Sequence, residues 1–218
     1  MKFKAIGFDI DGTLYPNYQM FLCTASSFVK HPALVYYFSA IRKIIRKINY
    51  EGDFHLKQAE LLAAEMKIDK IKAKNMIEKN LYQSWDKSFK FLKPYSYVGD
   101  FIRGLRAKGY KTAALSDFPI GRKLEYMKLD GIWDAALCSE DSGKLKPAPG
   151  PFLEMADRLG LPPKDILYIG NSYKYDIIGA SSAGMRTAFL GKNGGLKADY
   201  VFQNYKQLEI MLFGRGPD

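Results

Sequence analysis

The stretch Phe8-Asp9-Ile10-Asp11-Gly12-Thr13-Leu14-Tyr15 overlaps the end of an apolar run, Phe3 to Phe8, that has the length of one buried strand. Two acids therefore fall at the C-terminal edge of that strand. Side chains two apart on a strand point the same way, so Asp9 and Asp11 face one site, and Gly12 lets the backbone turn sharply beyond them. Such a pair permits a division of labour. An ionised Asp9 attacks as a nucleophile, while Asp11, pushed towards its protonated form by its neighbour, gives a proton to the leaving oxygen.

Beyond Tyr15-Pro16 the pattern changes to long segments of helical period, and none of the residues up to Lys93 reads as a strand. The clearest helix is predicted over Ala33 to Ile48, where Leu34, Phe38, Ile41, Ile45 and Ile48 form one apolar stripe with Arg42, Lys43, Arg46 and Lys47 on the opposite face. Glu51-Gly52-Asp53 interrupts it. Leu56 to Met66 and Asp69 to Ser84 predict two more helices, with Asp69 as an N-cap, and Pro94 marks the return to a mixed pattern.

From Tyr97 onward helix and strand alternate. Ala107-Lys108-Gly109, Arg158-Leu159-Gly160 and Ser182-Ala183-Gly184 each close a helix ahead of an apolar run, giving strands at Lys111 to Leu115, Ile166 to Ile169 and Thr187 to Leu190. Trp133 to Cys138 and Ala198 to Phe202 supply two more, and Tyr205 to Phe213 a closing helix. Repeated helix-strand units imply an α/β fold, a Rossmann-like parallel sheet with helices on both faces and its site at the C-terminal strand ends. The residues falling at those ends are Ser116 and Asp117, Lys146-Pro147 after Gly143, and Gly170-Asn171 with Asp176.

Taken in this order, Asp-x-Asp-Gly-Thr-Leu behind a strand, Ser116, Lys146-Pro147 and Gly170-Asn171 with Asp176 resemble the four motifs of the haloacid dehalogenase-like (HAD) superfamily. The resemblance covers residues 1 to 16 and 94 to about 213. It implies a catalytic core over 1–16 and 94–218, with residues 17–93 as an α-helical cap inserted between the first and second motifs. It further implies that Asp9 forms an aspartyl-phosphate, and that Asp11 is first acid to the leaving group and then base to the attacking water. Ser116 would hold a phosphoryl oxygen, and Lys146 would bind the phosphoryl group and keep Asp9 ionised. Phosphoryl transfer asks for positioning and charge neutralisation around three oxygens, which Ser116, Lys146 and backbone amides near Ile10, Asp11 and Asp117 can supply together with a metal. That metal is expected to be magnesium, held by Asp9, the Asp11 carbonyl, Asn171 and Asp176. Asn171 stands where many relatives have Asp, a departure that bears on metal affinity.

Each residue also has a plainer reading. Ser116 would cap a helix starting at Pro119 or Ile120, Lys144 rivals Lys146, and Asp176 would be a charge placed against a helix dipole. His31 and His55 stand isolated, which suits surface or core residues better than ligands.

The expected activity is a magnesium-dependent phosphatase acting on a small phosphomonoester. The alternatives are another reaction of the superfamily, a phosphomutase or dehalogenase, or a binding protein that uses the basic cap. Intact Asp9, Asp11, Ser116, Lys146 and Asp176 argue against lost catalysis, and Asp11 argues against a halide hydrolase. No nucleic-acid motif is present, and the expected partner is a phosphorylated small molecule.

Composition narrows the field without deciding it. The chain has 218 residues, 47% hydrophobic and 26% charged, as expected of one globular catalytic domain with an insertion. The opening Met1-Lys2-Phe3-Lys4 meets Asp9 too soon for a signal peptide, and Ala33 to Ile41 is too short to span a bilayer, so a cytoplasmic protein is expected. Cys23 and Cys138 are expected to be reduced thiols. Residues 17–93 carry 14 Lys or Arg against 7 Asp or Glu, whereas the rest has 19 against 16. The basic excess thus lies in the helical segment, and its Arg42, Lys43, Arg46, Lys47 face is expected to contact an anionic surface weakly.

Overall fold

The computed structural model describes residues 3–192 and 197–214, so the outer ends of the 1–16 and 94–218 segments lie outside the described residues. The first strand, β1 (Ala5–Asp9), is followed by a run of helices: α1 (Asn17–Lys30), α2 (Pro32–Ile45), α3 (Phe54–Met66) and α4 (Lys70–Met76). A π-helical stretch, Ile77–Tyr82, then leads into α5 (Gln83–Ser88) and a short turn, Phe89–Phe91. The alternating part comprises α6 (Val98–Ala107), β2 (Lys111–Ser116), α7 (Lys123–Tyr126), β3 (Ala135–Cys138), α8 (Gly150–Leu159) and β4 (Ile166–Gly170). It closes with α9 (Ile178–Ser182), β5 (Arg186–Leu190), β6 (Tyr200–Phe202) and α10 (Tyr205–Phe213).

All six strands pair in parallel, in the order β3-β2-β1-β4-β5-β6. β1 is central, which puts Asp9 at the middle of the sheet's C-terminal edge. Alternation along β1 sorts the two faces. Ile6 and Phe8 pack with Phe101, Ile102 and Leu105 of α6 and Tyr205 and Leu208 of α10. Ala5 lies on the other face with Phe152, Met155 and Leu159 of α8 and Ala180 of α9. Gly7 shares that face because a β-carbon there would stand 2.7 Å from Met155 Cε. The doubly covered parallel sheet is therefore the α/β architecture that the alternation predicts.

Local signals place most boundaries. Asp69 caps α4, accepting from the amides of Ile71 and Lys72 at 2.8 and 3.1 Å. Gly109, Gly160 and Gly184 have φ of +84°, +64° and +85°, the left-handed region in which glycine closes a helix without strain. Two expectations shift. The helix expected over Ala33 to Ile48 ends at Ile45, and the one expected over Asp69 to Ser84 runs to Ser88 through the π-helical stretch. That widened turn turns Tyr82 inward, where its hydroxyl reaches Glu140. Cys23 and Cys138 are buried free thiols. Among the described residues no helix is long and apolar enough to cross a membrane.

Candidate active site

The turn after β1 is held from several sides. Ile10 offers its carbonyl to the amides of Thr13 and Leu14 at 3.2 and 3.0 Å, the Thr13 carbonyl accepts from Tyr205 Oη at 2.8 Å, and the Leu14 carbonyl from the Tyr95 amide at 2.8 Å. Gly12 has φ +95°, and a β-carbon there would lie 2.2 Å from both Asn17 Oδ1 and Asn171 Nδ2. Only glycine suits both the backbone and the space.

Asp9 is the last residue of β1 and is buried. Its Oδ1 accepts from Lys146 Nζ at 2.6 Å and its Oδ2 from Thr13 Oγ1 at 2.8 Å. The same ammonium donates to Asp176 Oδ1 at 2.7 Å and to Tyr168 Oη at 3.3 Å. Asp176 is oriented through Oδ2, which accepts from the Ser172 amide at 2.9 Å, and it sits so close over Gly170 that a β-carbon there would be 2.3 Å away. Lys144 takes no part. Its Nζ lies 4.5 Å from the centre of the Tyr50 ring.

Asp11 has a different setting, one in which every strong partner is a donor. Lys123 Nζ donates to its Oδ1 at 2.8 Å, Ser116 Oγ donates to its Oδ2 at 2.8 Å, and Tyr15 Oη donates to Oδ1. The sequence offers no signal for Lys123, seven residues past Ser116 and beside Arg122; in the fold it is fully buried, 4.6 Å from the centre of the Phe89 ring. Ser116 Oγ also accepts from the Phe118 amide at 3.0 Å, and the expected helix at Pro119 or Ile120 is absent, because α7 begins at Lys123.

These partners reverse the expected protonation pattern. Burial is the largest influence on Asp9, repulsion from Asp176 and Asp11 adds to it, and the shared Lys146 offsets only part, so the carboxyl is pushed up to about 7. Burial also works against the charge of Asp11, but Lys123 and the Tyr15 and Ser116 hydroxyls outweigh it and hold that carboxyl below its usual value. The acid expected to be raised is thus the lowered one. The reason is that Asp11 has a cation of its own while Asp9 divides one with Asp176.

A second correction concerns the basic face of α2. Arg42 and Arg46 do not point into solvent; only Lys43 and Lys47 do. Arg42 is buried against Phe118, its Nη1 on Glu140 and Gln58 and its Nη2 on the Asp117 carbonyl at 2.5 Å. Arg46 donates to Asp117 Oδ2 at 2.7 Å and to the Lys146 carbonyl at 3.0 Å. Asp117 also orients the Lys146 backbone, accepting from its amide through Oδ1 at 3.0 Å. Burial opposes the charge on Asp117, yet Lys146, Arg46 and Arg42 together hold its carboxyl low. The helical segment is therefore clasped to the C-terminal ends of β2 and β3 beside the acid pair.

The donor set can be tested against a divalent ion. Among the described residues no three His, Cys, Asp or Glu side chains form a ready metal shell. What is present is two buried carboxylates, Asp9 and Asp176, sharing one ammonium, with the neutral Asn171 Oδ1 linked to Asp9 through Thr13 Oγ1 at 3.3 and 2.8 Å. Hard oxygen donors, only two of them charged, and an excess of buried negative charge suit magnesium, which keeps several of its waters. The residues fit.

A protein-family model described as a haloacid dehalogenase-like hydrolase matches residues 3–184. Among characterised relatives, a glyceraldehyde 3-phosphate phosphatase of Methanopyrus kandleri is 28% identical over 198 residues, covering 84% of this chain and 82% of the relative. The pyrophosphatase PpaX of Bacillus cereus is 28% identical over 193 residues, covering 86% and 83%. Among solved structures, a 2-haloacid dehalogenase from Pseudomonas syringae superposes with a TM-score of 0.70 at 19% identity, over 96% of this chain and 98% of that one, a likeness of fold. With its family model matched across most of its length and the parallel sheet in place, the chain belongs to the haloacid dehalogenase-like hydrolases.

Proposed function

We infer that the protein is a phosphatase that hydrolyses a small phosphomonoester through an aspartyl-phosphate on Asp9. The observation that carries this reading is the second acid: Asp11 stands beside Asp9 with its own buried cation, Lys123, and a hydroxyl donor on each oxygen. Displacement by one carboxylate needs only Asp9. Expelling an alcohol from phosphorus and then activating water against the aspartyl-phosphate needs a second group that moves a proton, and the nearness of Asp11 supports it in that role.

In this reading Lys146 neutralises the incoming phosphoryl group while it orients Asp9, and Ser116 turns its hydroxyl from Asp11 to a phosphoryl oxygen. Asp11 enters as a carboxylate. The proton it passes to the leaving oxygen is taken up with the substrate, since a phosphate monoester carries its second proton up to a pKa of roughly 6, and Asp11 then accepts a proton from the attacking water. Asp9, Asp176, Asn171 and the Asp11 carbonyl would hold magnesium, which when bound supplies positive charge to the phosphoryl oxygens and favours ionised Asp9. Residues 17–93 serve as the cap, and Arg42 and Arg46 hold it over the site. The names of the two relatives, a phosphatase of a small phosphorylated aldehyde and a pyrophosphatase, support a small phosphorylated substrate.

The test is release of inorganic phosphate from para-nitrophenyl phosphate, with and without magnesium, followed by a panel of phosphorylated metabolites. Magnesium-dependent release is expected. Halide release from a 2-haloacid with no phosphate release from any ester would overturn the reading.

A further inference from the structure

Helix α1 is built inside out. Its inward face carries Met20, Cys23, Thr24 and Ser27, which meet the rest of the fold by a few apolar contacts and three hydrogen bonds: Ser27 Oγ donates to the Asn80 carbonyl at 3.2 Å and accepts from Trp85 Nε1 at 3.0 Å, and Cys23 Sγ donates to the Ser88 carbonyl at 3.4 Å. Its outward positions are Tyr18, with Phe21 and Leu22 three and four residues on, and Phe28 and Val29 a further seven beyond those two, all on one side of the helix. Leu22 is 69% exposed and Val29 82%. A surface helix ordinarily does the reverse, its apolar stripe inward. Single exposed apolar residues need no explanation, but five on one stripe mark a contact surface.

Charge says what that contact is. No Asp or Glu occurs between Asp11 and Glu51, so α1 and α2 contain no acid at all. Lys30 at the end of α1, with Lys43 and Lys47 at and just past the end of α2, is exposed, while Arg42 and Arg46 are absorbed into the contacts beside the acid pair. The apolar stripe therefore belongs to a pair of consecutive helices whose exposed charges are all positive. A second copy of the chain meeting the same face would set these lysines against one another. It would also gain little area, since a helix of 14 residues offers a face about 21 Å by 10 Å, well below the roughly 800 Å² per partner of a standard interface. A bilayer bearing anionic headgroups supplies both an apolar boundary and the missing negative charge.

We propose that the outer face of α1 is a docking surface for anionic phospholipid membranes, with the Phe21-Leu22 and Phe28-Val29 pairs set into the headgroup boundary and Lys30, Lys43 and Lys47 among the phosphates. This is not the four-residue basic face that the periodicity of α2 suggests; two of those four charges are tied into ion pairs, and the apolar side chains that lead belong to the preceding helix.

The experiment is co-flotation of the full chain with phosphatidylcholine vesicles, with and without phosphatidylserine, at low and high salt. Recovery with the phosphatidylserine vesicles at low salt, lost at high salt, is expected. The triple variant Phe21→Gln, Leu22→Gln, Val29→Gln should partition at least about tenfold more weakly. It should melt close to the parent and hydrolyse an aryl phosphate at the same rate, because all three side chains are mostly exposed and lie outside the acid site. Lys30→Glu, Lys43→Glu, Lys47→Glu should lose binding to phosphatidylserine vesicles as well. Three results overturn the proposal: no flotation by the parent protein, equal flotation with neutral vesicles, or a parent dimer in sedimentation that the triple glutamine variant converts to monomer.

Discussion

The two aspartates of the first turn, two residues apart in sequence, sit in opposite electrostatic settings. Asp9 shares Lys146 with Asp176 and is pushed up to about 7; Asp11 has Lys123 and two hydroxyls to itself and is held low. Their side chains are 7% and 14% exposed, so burial alone is not what separates them. The ratio of cations to carboxylates is. A protein can therefore set two neighbouring acids to different tasks by assigning lysines from distant parts of the chain, without changing how much water either acid sees.

The sharpest way to break the comparison is to remove one acid at a time. Asp9→Asn is expected to lower phosphatase turnover by at least about a thousandfold, because an amide is a far poorer nucleophile, with the fold intact. Asp11→Asn keeps the nucleophile, so slow turnover is expected to remain, worst for poor leaving groups. Assays with aryl phosphates of graded leaving-group pKa separate the two, and near-normal turnover by Asp9→Asn would remove the covalent route.

Removing the unshared lysine comes next. Lys123→Met leaves the mostly buried Asp11 without its cation, an uncompensated charge that costs about 3 kcal/mol and raises the Asp11 pKa. Chemical denaturation at neutral pH reads the first effect. The second shows as an acidic limb of the activity profile moved to higher pH, which a purely structural loss would not produce.

The two acids also predict opposite pH dependences of stability. Asp9 is raised when folded, so the folded state binds its proton more tightly, and its contribution is full below the ordinary carboxylate pKa and lost as pH rises through about 7. Asp11 is lowered, so its contribution is present at neutral pH and lost as pH falls. In chelated protein, Asp9→Asn should therefore remove a decline on the order of 2–4 kcal/mol between pH 4 and 8. Melting curves across that range, repeated with magnesium, check it; magnesium should stabilise the parent most at the alkaline end.

The smallest effect concerns Asn171. A third carboxylate near Asp9 and Asp176 would tighten a divalent ion, and after desolvation a gain of 1–2 kcal/mol, roughly tenfold in affinity, should survive. Asn171→Asp should shift the magnesium midpoint in both melting and activity titrations. An unchanged midpoint would leave Asp176 to carry that side of the site.

Much of the fold was legible because its signals are local. An apolar run ending in acids and glycine, three glycines closing helices, and Asp69 capping α4 each depend on backbone geometry within a few residues, and the parallel sheet follows from repeating them. The order of chemically active residues along the chain belongs to the same kind of information. Which charges meet mostly does not, the pairing of Lys146 with Asp9 that the resemblance implies apart. Lys146 and Asp9 are 137 residues apart, Lys123 and Asp11 112, Arg42 and Glu140 98. The resemblance favours Lys146 over Lys144, which rests on Tyr50, but nothing local marks Lys123, on α7, as the buried partner of Asp11. Periodicity likewise marks the stripe of α2 but not that half its basic face turns inward, and α1, which no periodicity singled out, docks partly through hydrogen bonds to Asn80, Trp85 and Ser88. The sequence by itself determined where the backbone turns and which groups stand at the sheet edge. The tertiary structure alone decided their protonation and orientation, because burial and charge pairing are sums over neighbours that the chain brings together only on folding.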